Sequence, residues 1–124
     1  MTKCILIVDD EEDIRSITKL ALEMGTDWTV LTASSGQEAL AIAAAHQPDT
    51  ILLDMMMPDM DGRATLRQLK ADSSTRPIPV IMVTAKAQSA KLGSFEDLDV
   101  AAVLPKPFRP LKLAAEITAI LGWA

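Results

Sequence analysis

Four short apolar runs, each followed by a polar side chain, constrain the fold of this chain more than any other feature. Continuous apolar runs of this length are typical of strands that are buried on both faces of a parallel sheet. The pattern therefore predicts a buried sheet whose strands end at reactive groups. The runs occupy residues 5–8, 50–53, 80–83 and 101–104, and the polar groups after them are Asp9 with Asp10, Asp54, Thr84 and Lys106.

Helical patterns separate these runs. An apolar period near 3.6 residues favours a helix over 11–24, and Ser35 with Glu38 has the spacing of a capping box. Pro110 suits the first turn of the last helix and Gly122 suits its end. The predicted helices cover residues 11–24, 35–46, 62–71, 87–98 and 110–121, and a further strand is predicted over 28–33.

Five strands alternating with five helices predict an α/β domain, a doubly wound parallel sheet covered by helices on both faces. Crossovers in such a sheet are right-handed. The carboxyl ends of the strands lie at one edge, where ligands bind in open α/β sheets. A length of 124 residues fits one such domain. We therefore expect the polar groups at the strand ends to form a single site.

Composition argues against several classes of function. The formal net charge is −5, whereas a surface that binds nucleic acid directly needs clustered Lys and Arg. No apolar run approaches the roughly 20 residues of a membrane span, and the residues before the first strand lack the longer apolar core and cleavage site expected of a signal peptide. Cys4 is the only cysteine, which leaves no disulfide and no cysteine-based zinc site. We expect a cytoplasmic domain without direct contact to nucleic acid or a membrane.

Asp9, Asp10 and Asp54 are expected to converge at the carboxyl edge of the sheet. Three carboxylates in one cleft repel and raise one another's pKa unless a cation joins them. Mg²⁺ suits a site of a few carboxylates, waters and phosphate oxygens. With a hydroxyl at Thr84 and an ammonium at Lys106, the set is suited to phosphoryl transfer. A carboxylate can be the nucleophile of such a transfer, which would form an aspartyl phosphate.

Four segments together resemble the receiver domain of two-component response regulators. Their order and spacing extend the resemblance over the whole chain, as one receiver domain at residues 1–124. The resemblance implies a flavodoxin-like fold with strand order 2-1-3-4-5. The segments are Val8-Asp9-Asp10-Glu11, residues 53–62, Val83-Thr84-Ala85 and Leu104-Pro105-Lys106-Pro107-Phe108.

The resemblance also implies a role for each acid. Asp54 would be the phosphoacceptor, and Asp10 and Asp54 would be direct ligands of Mg²⁺. The backbone carbonyl of Met56 would be a third ligand, and Asp9 would hold the ion mostly through water. These assignments follow from the positions that match the motifs of the family.

Thr84 and Lys106 would contact the phosphoryl group in such a domain. Thr84 would donate a hydrogen bond to one phosphoryl oxygen, and Lys106 would pair with another. Many receivers carry a Tyr or Phe three residues before the lysine, which turns inward on activation, but here that residue is Val103. How phosphorylation of Asp54 would be transmitted to the rest of the domain is therefore open.

A receiver domain implies a regulatory switch rather than an enzyme with a separate substrate. A sensor histidine kinase or a histidine phosphotransfer domain would donate the phosphoryl group, and a downstream protein would be the target. The domain would catalyse only its own phosphorylation and slow hydrolysis. Two arrangements are open, a single-domain regulator and a receiver cut from a larger response regulator or hybrid kinase.

Two other classes of function compete with this one. A stand-alone phosphohydrolase often carries a second acid two residues after its nucleophile, where this chain has Met56. A receiver-like binding module that is never phosphorylated would not need the full set of acids, Thr84 and Lys106. The intact set therefore favours the phosphorylated switch.

Other acids near these motifs have simpler interpretations. Glu11, Glu12 and Asp13 favour the start of a helix through its dipole. Asp59 and Asp61 are expected in a turn and a helix cap.

Overall fold

Five parallel strands form one sheet in the computed structural model, which describes residues 2–57, 61–84, 99–106 and 108–123. Their order across the sheet is β2-β1-β3-β4-β5, which confirms the expected doubly wound arrangement. The strands are β1 (Cys4–Val8), β2 (Thr29–Ala33), β3 (Thr50–Asp54), β4 (Val80–Thr84) and β5 (Ala102–Pro105).

A described helix follows each of the strands β1, β2, β3 and β5. Within the described ranges these helices are α1 (Glu12–Gly25), α2 (Gly36–His46), α3 (Gly62–Ala71) and α4 (Pro110–Leu121). The helix predicted over 87–98 and the expected turn residue Asp59 lie outside the described residues. Among the helices that the structure describes, none combines the length and the apolar character needed to cross a membrane.

Side chains cap the N-termini of two of these helices at the positions that the sequence predicts. Ser35 Oγ accepts the Glu38 N–H at 3.1 Å, which confirms Ser35 as the N-cap of α2. The return bond differs by one residue, because Glu38 Oε1 accepts the N–H of Ser34. Asp61 caps α3, since its Oδ1 accepts the Ala64 N–H at 2.9 Å.

Side chains on the two faces of the sheet pack into two apolar clusters. Successive residues of a strand point to opposite faces, so each central strand contributes to both clusters. One cluster packs against α2 and α3 and the other against α1 and α4, so helices cover both faces. The first includes Leu6, Val8, Ala39, Ala43, Leu53, Leu66, Leu69 and Met82, and the second includes Ile5, Ile7, Leu22, Leu52, Ile81, Val83, Leu113 and Ile117.

The parallel register brings the ends of four strands to one edge. Val8 pairs with Leu53 at the ends of β1 and β3. Thr84 pairs with Pro105 at the ends of β4 and β5. Asp54 is the last residue of β3 and lies between these pairs. The polar groups that follow the strands therefore share one region of the surface.

Candidate functional site

Asp54 ends β3 with a buried carboxylate. Its exposed fraction is 3%, and its Oδ1 accepts the backbone N–H of Met56 at 3.2 Å. The Met55 N–H extends the sheet ladder by donating to the Val83 carbonyl at 2.9 Å. The Met55 carbonyl accepts the Gly62 N–H, also at 2.9 Å, which ties the start of α3 to this strand end. The backbone around the acid is therefore held on both sides.

Asp9 follows β1 and is held at several atoms. Its N–H donates to the Ala33 carbonyl at 3.1 Å, and its own carbonyl accepts Arg15 Nη1 at 2.8 Å. Its Oδ1 accepts the Glu11 N–H at 2.9 Å. Asp10, the next residue, is exposed, whereas Asp9 is buried. The two neighbouring acids thus differ, because only Asp9 is fixed by burial.

The Lys106 ammonium lies among three carboxylates. Its Nζ is 2.9 Å from Asp9 Oδ2, 3.4 Å from Asp54 Oδ2 and 3.7 Å from Glu11 Oε1. The Lys106 N–H donates to the Thr84 carbonyl at 3.0 Å, which holds the residue beside the end of β4. The resemblance assigns Lys106 to a phosphoryl oxygen, and in this structure its shortest contact is with Asp9.

Burial and neighbouring charges shift the pKa values of both Asp54 and Lys106. Burial raises the pKa of Asp54 most, the charge of Asp9 raises it further, and the Met56 N–H and Lys106 oppose both. Burial alone would lower the pKa of Lys106, but the hydrogen bonds and charges of Asp9 and Asp54 together outweigh it and raise that pKa. The acids therefore hold the lysine in its charged form.

Asp9, Asp10 and Asp54 form a donor set for a divalent cation. Each offers a carboxylate oxygen, and these oxygens lie within 4.8 Å of one another. Mg²⁺ is bound in proteins by one or two carboxylates together with waters and phosphate oxygens. A cation here would also offset the repulsion that raises the pKa of Asp54. The residues present thus fit Mg²⁺, and the Met56 carbonyl as a ligand stays a prediction.

The other sequence-predicted residues lie at this edge or on the strand beside it. Thr84 is fully buried at the end of β4. Met56 lies in the loop after β3 with its side chain exposed. Val103 is half-buried on β5 and packs against the apolar cluster on the α2 and α3 face. Their roles in phosphoryl binding and in transmission stay predictions.

Sequence reasoning missed Arg15 and interpreted Glu11 only as a helix-start acid. The structure places both beside the site, because Arg15 contacts the Asp9 carbonyl and Glu11 contacts Lys106. Residues four apart share one face of a helix, and Glu11 and Arg15 have this spacing. That spacing is the signal that points to Arg15 once the start of α1 is known.

Replacing Asp54 by Asn is expected to stabilise the fold at neutral pH. Because the pKa of Asp54 is raised, the folded chain binds this proton more tightly than the unfolded chain. Its favourable contribution is therefore present in acid and lost as the pH rises through the folded-state pKa. Asn carries no charge to bury, so we expect the free energy of unfolding to rise by about 0.5–2 kcal/mol at neutral pH.

Urea denaturation at neutral and at acidic pH measures this difference. The gain from Asp54→Asn should shrink in acid, where Asp54 is protonated. A variant that is less stable than the unmodified chain at neutral pH would contradict the expected sign.

Residues 5–118 match the family described as the response regulator receiver domain. The phosphate regulon transcriptional regulatory protein PhoB of Pseudomonas aeruginosa is 42% identical over 121 residues, which cover 96% of this chain and 52% of that protein. The alkaline phosphatase synthesis transcriptional regulatory protein PhoP of Bacillus subtilis is 38% identical over 121 residues, which cover 98% of this chain and 49% of that protein. The chain spans about half the length of the curated relatives it matches.

Solved structures show the same architecture. The chemotaxis protein CheY4 of Vibrio cholerae has a TM-score of 0.87 to this chain at 28% identity. The similarity covers 97% of this chain and 99% of that one. The fold is thus shared over nearly the whole length of both chains.

Proposed function

The chain belongs to the response regulator receiver domain family, and from this we propose that it is a signalling switch controlled by phosphorylation of Asp54. Receiver domains are regulatory switches of two-component signalling rather than enzymes that act on a separate substrate. One observation carries the proposal. The buried Asp54 carboxylate lies at the carboxyl edge of the sheet within reach of two further acids and the Lys106 ammonium.

The transfer would begin from a phosphohistidine on a sensor histidine kinase or a histidine phosphotransfer domain. An Asp54 oxygen would form a bond to phosphorus as the bond from phosphorus to the histidine nitrogen breaks. The imidazole leaves with that electron pair and takes up a proton. The Met56 N–H on Oδ1 would hold the carboxylate in place, and Lys106 near Oδ2 would offer positive charge to the transferring group.

Mg²⁺, when bound, would supply positive charge that neutralises the acids and the phosphoryl oxygens. Asp10 and Asp54 would hold it directly, together with the Met56 carbonyl. Asp9 would hold it mostly through water, because its carboxylate contacts with the Glu11 N–H and the Lys106 ammonium, both 2.9 Å, are shorter than the 3.2 and 3.4 Å contacts of Asp54. The contacts of Asp9 therefore support the division of roles that the family resemblance implies.

Phosphorylation would add a charge of about −1.5 to −2 next to Lys106. Lys106 would exchange part of its contact with Asp9 for a phosphoryl oxygen, and the Thr84 hydroxyl would donate to another. Because the Lys106 N–H donates to the carbonyl of Thr84, the last residue of β4, their shift would bias two states of the surface around β4 and β5. The affinity for a downstream protein target would change as the populations of these two states change.

The names of the relatives favour a transcriptional output. PhoB and PhoP are both described as transcriptional regulatory proteins. We place the domain in the cytoplasm. With a net charge of −5, it would act through contact with another protein segment rather than by binding DNA itself. A single-domain regulator that acts on a separate protein is the alternative arrangement.

Labelling with acetyl phosphate tests the chemistry directly. With Mg²⁺ present, intact-mass spectrometry should show the addition of one phosphoryl group to the chain. Chelation by EDTA should abolish the labelling, because unneutralised carboxylates repel the anionic donor, and added Mg²⁺ should restore it. Equal labelling with and without Mg²⁺ would contradict the proposal. Steady turnover of phosphate esters would instead favour a phosphohydrolase, which the side chain of Met56 argues against.

A further inference from the structure

Arg15 makes a contact with the site that its place on α1 does not require. The residue is half-buried, and its Nη1 donates to the carbonyl oxygen of Asp9 at 2.8 Å. Hydrogen bonds from a guanidinium are short, strong and directional. The contact therefore fixes the direction of the Asp9 carbonyl relative to the start of α1.

The orientation of this carbonyl determines the position of the Asp10 backbone nitrogen. The C=O of Asp9 and the N–H of Asp10 belong to one planar peptide unit, so holding the oxygen also holds the nitrogen. Asp10 is exposed, and its carboxylate still lies within 4.8 Å of the Asp9 and Asp54 oxygens. For an exposed acid, a fixed backbone is the main restraint on its direction.

Asp9 keeps three other hydrogen-bond contacts if Arg15 is removed. Its N–H donates to Ala33, its Oδ1 accepts the Glu11 N–H, and its Oδ2 contacts Lys106 at 2.9 Å. The Asp9 side chain and the end of β1 should therefore remain in place. Loss of Arg15 should relax only the peptide that leads to Asp10.

We propose that Arg15 is a positioning residue that holds the Asp9–Asp10 peptide and so tightens the binding of a divalent cation at the site. The inference rests on the proposed function, because it takes Asp10 and Asp54 as ligands of Mg²⁺. Groups that orient metal ligands typically change metal affinity by about 10–100-fold when removed. We expect Arg15→Met to raise the dissociation constant for Mg²⁺ by about tenfold, at the low end of that range.

Coulomb's law alone predicts the opposite sign. Arg15→Met removes a positive charge near a cation site, which by itself would tighten Mg²⁺ binding. Lys19→Met is the matched control, since Lys19 lies one turn further along α1 and pairs with Glu23 at the surface. It makes the same change in net charge without touching Asp9. Its effect on Mg²⁺ affinity should stay within about twofold, because exposed charges are screened by water and salt.

Calorimetric titration with Mg²⁺, in buffer without phosphate, measures the affinity, and urea denaturation measures stability in parallel. Arg15→Lys keeps a charged donor on a stem of similar length and guards against a variant that fails to fold. We expect it to recover at least half of the lost affinity on a logarithmic scale. Weaker binding by Arg15→Met, with Lys19→Met unchanged, supports the inference.

Several results would overturn it. If Arg15→Met bound Mg²⁺ as tightly as the unmodified chain or more tightly, Arg15 would act only through its charge. If Arg15→Lys and Arg15→Met bound Mg²⁺ equally weakly, a charged hydrogen-bond donor at this position would not be what tightens binding. These results would leave the proposed function intact. Failure of the unmodified chain to bind Mg²⁺ would instead overturn the metal site and this inference together.

Discussion

Asp54→Asn is expected to reduce phosphoryl labelling by at least about a thousandfold, in the range that loss of a nucleophile costs an enzyme. The amide keeps the shape of the carboxylate but lacks the charge and nucleophilicity that form the bond to phosphorus. Neighbouring acids are poor substitutes. Asp9 makes shorter contacts than Asp54 at both carboxylate oxygens, and Asp10 is exposed to water rather than held beside the Met56 N–H.

The stability of the variant separates chemistry from folding. Asp54→Asn should be at least as stable as the unmodified chain at neutral pH, so a loss of labelling cannot come from unfolding. Asp27→Asn is a matched control, because Asp27 is exposed between α1 and β2 at the opposite edge of the sheet. It should label at the unmodified rate. Full labelling of Asp54→Asn would contradict the assignment, and peptide mapping would then locate the true acceptor.

Strand positions were the most predictable part of the fold. The run at 50–53 is continuously apolar or β-branched, and every residue of β3 is buried, so position and burial are read from one pattern. Periodicity identifies strands without saying which of them pair. The order β2-β1-β3-β4-β5 therefore came from the resemblance, and the observed sheet confirms it.

The composition of the site was predictable for the same reason, whereas its contacts were not. Parallel strands bring their carboxyl ends to one edge, so Asp9, Asp54 and Lys106 had to meet there. A lysine stem is long and flexible, and sequence does not say which acid it reaches. The structure shows Asp9 as its shortest contact. Arg15 was missed because its hydrogen bond goes to a backbone carbonyl, and its spacing from Glu11 points to it only once the start of α1 is known.

Val103 shows what a motif leaves undetermined. Its side chain packs against the apolar cluster on the α2 and α3 face, so the position is filled by an aliphatic contact. An aliphatic side chain has no ring to turn inward and no hydroxyl to bond. We therefore expect transmission in this chain to depend on the backbone link between Thr84 and Lys106 more than on a rotating aromatic.

Gly62→Ala is expected to disturb both the fold and the phosphorylation of Asp54. An added Cβ at Gly62 would lie 2.6 Å from Met55 Cα and 2.7 Å from the Asp54 carbonyl oxygen. Both are backbone atoms of the strand end, so no side chain can move aside to relieve the contact. Forcing a methyl group into a packed site costs typically 1–3 kcal/mol, and we expect a loss of stability of about this size.

The displaced peptide is the one that carries the phosphoacceptor, so the chemistry should suffer beyond the loss of stability. A misplacement of about 1 Å at a reacting group can cost about a hundredfold in rate, and we expect labelling by acetyl phosphate to slow by roughly tenfold or more. Gly25→Ala is the matched control, because it ends α1 with no atom within 4 Å of the added Cβ. That variant should gain about 0.4–1 kcal/mol and label normally. If Gly62→Ala matched Gly25→Ala in urea midpoint and labelling rate, the close approach of α3 to Asp54 would not constrain the site.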